Sequence, residues 1–195
     1  WRWSFRRGWL DSVRMLPAPQ EAFDVLARTP QARLLSRLEV VYDMRYHPFD
    51  FQEWLDGPCR ALKARVPLDS MLDGGHDPLS AFLASPWLGN LRVFKIGFSD
   101  DDEEELRHSS MVQPFESCTG EKLIGLLEKC RRLEELAINT DVTDIAELFA
   151  SPKLAGLRVL QYYFGMDSPR EVGGSSAYPL SILALNEAAA DLRSL

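Results

Sequence analysis

The chain has 195 residues, 46% of them apolar and 26% charged, and a formal net charge of −7. That composition belongs to a folded globular chain and excludes intrinsic disorder. The acidic balance argues against a nucleic-acid partner, whose phosphates demand clustered Lys and Arg, and no apolar run approaches the roughly 18–20 residues of a membrane span.

Residues 1–16 open aromatic and basic and then turn extended, with Leu10, Val13 and Met15 at the spacing L-x-x-φ-x-φ, where φ is apolar. A proline linker (17–19) leads to a helix over 20–29, with Ala22, Phe23, Leu26 and Ala27 at helical spacing. Leu38-x-x-Val41 is the second expected strand. A loop with His47-Pro48 follows, then a short helix near 51–55 that stops at Gly57-Pro58, and a weak third strand at Ala61-x-x-Ala64-x-Val66. Asp73-Gly-Gly marks a turn. Residues 99–120 carry six consecutive acids (Asp100–Glu105) and form a long insertion, expected to be solvated and self-repelling. A helix over 121–131 and a strand from Leu133 resume the rhythm. A Gly/Ser-rich loop (166–176) precedes a final helix over 179–191.

Two stretches are copies of each other. Residues 78–99 align without a gap on 144–165, an offset of 66, with eight of 22 positions identical, among them Ser85-Pro86/Ser151-Pro152, Leu91/Leu157 and Arg92/Arg158. Each copy is an amphipathic helix, a break at Ser-Pro, and an extended L-x-x-φ-x-φ run. First leucines read at 10, 38, 61, 91, 133, 157 and 195 are separated by 28, 23, 30, 42, 24 and 38 residues. These are the marks of an α/β leucine-rich-repeat solenoid over 1–195, with parallel strands on the concave face, helices on the convex face and irregular repeats of about 23–42 residues. Residues 1–35 form its cap and first repeat. The aromatics Trp1, Trp3, Phe5 and Trp9 are expected to cover the open end, and Leu195 to begin a further strand. That placement of Leu195 reads the chain as a fragment of a longer one, with exposed repeat ends prone to self-association.

The outward residues beside the first leucines are Glu39, Arg92, Glu134 and Arg158. In register, Arg92, Glu134 and Arg158 stand side by side with alternating sign. This is a structural charge ladder or a partner-contacting surface, extended in the second case by Lys95, Gln161 and Tyr163.

The repeated unit resembles bacterial leucine-rich-repeat proteins, and Trp3-Ser-Phe-Arg-Arg-Gly-Trp9 is similar to a repeat-companion segment that precedes such repeats in some of them. The resemblance implies protein binding or scaffolding and offers no catalytic residue. The signature's Asn or Cys, eight residues after the first leucine, is replaced by Ser99, Asp141 and Gly165, so an irregular, more open stack is expected.

Catalytic motifs are missing. His47, His76 and His108 stand apart from one another and from cysteines at ligand spacing, and there is no phosphate loop, nucleophile elbow or calcium loop. The expectation is therefore no cofactor and no metal. Cys59, Cys118 and Cys130 are odd in number and widely spaced, which fits free thiols in the cytoplasm. Cys130 stands where Leu88 and Leu154 stand and reads as a core residue. The expected function is non-enzymatic recognition of a protein on the sheet face, with no nucleic acid and no membrane. The alternative is an interaction module of a larger enzyme or effector whose catalytic part lies outside these residues.

Overall fold

Alternating apolar residues favour strands whose two faces differ, and the L-x-x-φ-x-φ runs pair accordingly. The computed structural model describes residues 2–15, 20–42, 78–98, 118–140, 142–162 and 179–194. Strands β1 (Arg2–Arg6), β2 (Trp9–Met15), β3 (Arg37–Tyr42), β4 (Val93–Phe98), β5 (Glu135–Asn139) and β6 (Val159–Tyr162) form one six-stranded sheet in chain order. β1 and β2 make an antiparallel hairpin, and every later pair is parallel. Arg7 (φ 54°) and Gly8 (φ 80°) supply the two positive φ values of a tight hairpin turn. Helices α1 (Gln20–Arg28), α2 (Pro78–Ala84), α3 (Gly120–Lys129), α4 (Ile145–Ala150) and α5 (Leu180–Leu185) pack each on the next. The chain is thus α/β, with a mostly parallel sheet and a file of helices.

The core lies between the helices and one sheet face. Pairing aligns Val13, Leu38, Phe94, Leu136 and Leu160 in one row, and Met15, Val40, Ile96, Ile138 and Tyr162 in the next. All are buried except Tyr162, which is half-buried and meets Phe149 edge-on at 5.9 Å. Phe82 of α2 bridges neighbouring layers, edge-on to Phe23 at 6.0 Å and to Phe94 at 6.4 Å. Burying each such side chain contributes about 1.5–3 kcal/mol.

The register corrects two expectations. Leu38 pairs with Phe94, not with Leu91, so Leu35 is the first leucine of that strand and Leu38 the second apolar residue. At the far end, Arg193 N–H donates to Arg158 O (2.8 Å) and Ser194 bridges Val159, which gives Leu192 the place of Leu157. Leu195 lies outside the described residues. Both slips have one cause, because leucines three apart (Leu35/Leu38, Leu192/Leu195) satisfy L-x-x-L in two registers. The weak strand at 61–66 also lies outside the described residues. β3 and β4 are direct hydrogen-bonded neighbours, so no strand stands between them.

Helix ends are closed from the following layer. Ser85 Oγ donates to Ala27 O, Lys129 Nζ donates to Phe82 O (3.0 Å) and Leu83 O (2.6 Å), and Asn186 Nδ2 donates to Phe149 O (2.8 Å) and Ser151 O (2.9 Å). Carbonyls at helix C-termini have no partner within the helix, and here side chains of the next layer supply them. Asn186 also explains why the last helix is shorter than the expected 179–191. Its Oδ1 accepts from Ala188 N–H (3.0 Å), breaking the run into α5 and a 3-10 turn at Glu187–Ala189.

The sheet's N-terminal end differs from expectation. β1 covers the edge of β2, but Trp3 and Phe5 are 62% and 63% exposed and bury little of their rings. Trp1 lies outside the described residues. Trp9 is half-buried, with the Arg33 guanidinium 4.2 Å over its ring. At the opposite end Leu185 is 84% exposed, with Leu180 and Ile182 also in the open. Among the described residues no helix is long and apolar enough to cross a membrane. The acidic run, the Gly/Ser-rich loop, the 51–55 helix and the three histidines lie outside them.

Two substitutions test this packing. A Cβ on Gly97, whose φ is +114°, would fall 2.2 Å from Asn139 O, so Gly97→Ala should lower unfolding stability by about 2–4 kcal/mol in denaturant titration. The Thr140 hydroxyl is buried without a hydrogen-bond partner among the described residues, so the isosteric Thr140→Val should raise stability by about 1 kcal/mol.

Candidate binding surface

The outward face of the sheet is built from three rows of residues. The first begins each parallel strand. Ser36 N–H donates to Asp11 O, Arg92 and Val93 N–H to Ser36 O, Glu134 and Glu135 N–H to Arg92 O, Arg158 and Val159 N–H to Glu134 O, and Arg193 N–H to Arg158 O, all at 2.8–3.0 Å. The row therefore reads Asp11, Ser36, Arg92, Glu134, Arg158, Arg193. The second row is Ser12, Arg37, Val93, Glu135 and Val159, and the third is Arg14, Glu39, Lys95, Ala137 and Gln161.

Adjacent parallel strands lie about 4.8 Å apart, within reach of long charged side chains. Arg92 Nη1 donates to Glu134 Oε1 at 3.1 Å, and Arg158 Nη1 donates to Glu134 Oε2 at 3.3 Å. One carboxylate thus holds a guanidinium on either side. Lys95 Nζ meets Glu135 Oε1 at 3.1 Å, while Glu39 is shared by Arg37 (2.5 Å) and Arg14 (3.8 Å). Arg92 and Arg158 remain more than half exposed, so these pairs orient side chains and add little stability.

The structure brings Arg92, Glu134 and Arg158 together as the alternating ladder expected from sequence. Lys95 and Gln161 stand in the neighbouring row. Glu39 is not in the ladder, since Ser36 holds that place and Glu39 lies beside Lys95. Tyr163 lies outside the described residues. Sequence reasoning missed Arg193, hidden by the slip at Leu192/Leu195, and the second row with Arg37 and Glu135. On this face Arg14, Arg37, Arg92, Lys95, Arg158 and Arg193 outnumber Asp11, Glu39, Glu134 and Glu135, although the whole chain carries −7.

The helix side offers a different chemistry. Lys129, Glu128, Lys153 and Arg131 line an open depression of about 820 Å³ beside Leu83 and Pro152, with Lys153 Nζ 2.9 Å from Glu128. Burial lowers the Lys129 pKa, opposed by the neighbouring Cys130. Cys130 takes the place of Leu88 and Leu154, is 1% exposed, and donates its Sγ–H to Leu88 O at 3.0 Å. Burial pushes that thiol up to about 11, which favours its protonated form at neutral pH. Cys118 is likewise buried, and Cys59 lies outside the described residues. No cluster of three or more His, Cys, Asp or Glu with metal-binding geometry occurs among the described residues.

Comparison with protein-family models, with curated proteins and with solved structures found no match to this chain.

The exposed ladder carries its own prediction. A double-mutant cycle of Arg92→Ala and Glu134→Ala should give a coupling of about 0.2–1 kcal/mol at low salt, shrinking toward zero in 1 M salt. A coupling above 2 kcal/mol would mean that the ladder helps hold the sheet together.

Proposed function

We propose that this chain is a leucine-rich-repeat solenoid whose outward sheet face recognises a protein partner. The observation that carries this reading is the register itself. Successive strands repeat one pattern of buried leucine, outward residue and shared carbonyl, and display a cation-rich set of side chains on a chain of opposite net charge. A stack of parallel strands presents a broad surface whose rows vary independently of the core, which suits recognition of an extended protein surface. Arg is a frequent interface anchor, because its guanidinium makes several directed hydrogen bonds. The interspersed Glu39, Glu134 and Glu135 disfavour a continuous polyphosphate and match a partner of mixed charge with an acidic excess. In this reading the site has no catalytic group and no cofactor, the chain works away from membranes, and the cytoplasm is its compartment.

The test begins with affinity capture by the full-length protein and continues with the purified partner. Reversing the ladder (Arg92→Glu, Glu134→Lys, Arg158→Glu) should weaken binding at least tenfold while leaving the circular dichroism spectrum and melting temperature unchanged. Unaltered affinity in the folded triple variant would remove the sheet face from the proposal.

A further inference from the structure

The N-terminal hairpin presents a second surface, separate from the ladder. Among the described residues β1 pairs only with β2, so one edge of β1 offers backbone N–H and C=O groups with no strand beside them. Such an edge is a template for another extended chain. Its two faces differ sharply. Trp3 stands opposite Val13 and Phe5 opposite Leu10, on the core side of the sheet, yet both rings are more than half exposed. Arg2 stands opposite Arg14, and Ser4 opposite Ser12 with the two hydroxyls 2.7 Å apart, on the outward side, where Arg6 also falls. Neither Arg2 nor Arg6 has an acidic partner among the described residues.

We propose that the free edge of β1 receives an acidic extended segment of a partner protein as an additional strand, in which large apolar residues alternate with the flanking acids. Side-chain alternation sets the pattern. Residues meeting Trp3 and Phe5 are apolar and two apart, while those meeting Arg2 and Arg6 are acidic and four apart, which gives acid-φ-x-φ-acid. The pattern is the same for parallel and antiparallel addition. A second copy of β1 is a poor occupant, because self-pairing sets arginine against arginine. A single nucleic-acid strand fits poorly too. Its phosphates and bases would have to reach Arg2/Arg6 and Trp3/Phe5 on opposite faces of the sheet, whereas an added strand projects side chains to both.

The experiment titrates the whole protein with blocked nine-residue peptides centred on Glu-Val-Thr-Ile-Glu, read by calorimetry and tryptophan fluorescence. The patterned peptide should bind at least tenfold more tightly than a scrambled peptide of the same composition. N-methylation of one alternate set of its amides should abolish binding, and methylation of the other set should leave it intact. Arg2→Glu with Arg6→Glu should lower affinity at least tenfold and transfer binding to the Lys-for-Glu peptide, and Trp3→Ala with Phe5→Ala should weaken it similarly. Arg92→Glu with Arg158→Glu should change nothing, which separates this site from the ladder. Equal binding of the scrambled peptide, indifference to both methylations, tighter binding of oligothymidine, or dimerisation at the same edge would each overturn the proposal. Absence of any peptide binding would also overturn it and leave Arg2 and Arg6 as guards of a bare edge.

Discussion

One backbone contact recurs where each parallel strand begins, and the rest of the structure follows from it. The carbonyl of Ser36, of Arg92 and of Glu134 each accepts two consecutive N–H groups of the next strand, at 2.8 and 3.0 Å. That shared acceptor fixes the register, since a slip of one residue would turn every buried side chain to the opposite face. With the register set, Leu35, Leu91, Leu133 and Leu157 occupy equivalent places behind the sheet, all at most 5% exposed. The outward side chains fall into rows by the same constraint. The ladder of Arg92, Glu134 and Arg158 is therefore a consequence of the backbone pairing, and its weak ion pairs do not create that pairing.

The helix side obeys the same geometry with less chemical uniformity. At α1, α2 and α4 the carbonyls near the helix C-terminus are satisfied from the following layer, but by a serine, a lysine and an asparagine in turn. What is held constant is the satisfied acceptor, because a buried carbonyl left without a donor costs about 1–3 kcal/mol. Three residue types meet that demand, and no residue-level repeat records it. The Cys130 thiol shows the same latitude, since it fills a leucine's place and finds Leu88 O for its hydrogen.

This latitude explains how much was legible beforehand. The strands at Leu10, Leu91, Leu133 and Leu157 were visible because alternating apolar residues leave a period in the sequence. The grouping of Arg92, Glu134 and Arg158 followed from them. The strands near Leu38 and Leu195 were placed three residues late, as L-x-x-L cannot distinguish its first leucine from its second. Backbone pairing resolves that ambiguity, and with it exchanges Glu39 for Ser36 and adds Arg193. The hairpin at Arg7-Gly8 was missed for another reason. Its positive φ values are a property of the turn, and Arg-Gly is a weaker turn signal than Asn-Gly or Asp-Gly. Trp3 and Phe5 are expected from sequence to cover the open end of the first repeat, yet both are more than half exposed among the described residues.

Charge distribution connects the two surfaces. Arg2 and Arg6 share the outward face with the ladder, which makes the cation excess there larger than the rows of β2–β6 alone provide. With a net charge of −7 for the whole chain, the remainder is more acidic than the total. The strand face is thus basic on a chain whose total charge is acidic. For the acidic partner proposed above, a basic strand face would raise the rate of encounter with that face. In the middle of the sheet each cation is shared with a carboxylate, so a partner there must compete with Glu134 or Glu135 for a guanidinium or ammonium already in use. At β1 no such competitor stands within reach among the described residues, and aromatic rings lie one residue away on the other face. Charge attraction is strongest where it costs least internal rearrangement, so the two proposals together put first contact at the hairpin edge and register-dependent selection along the ladder.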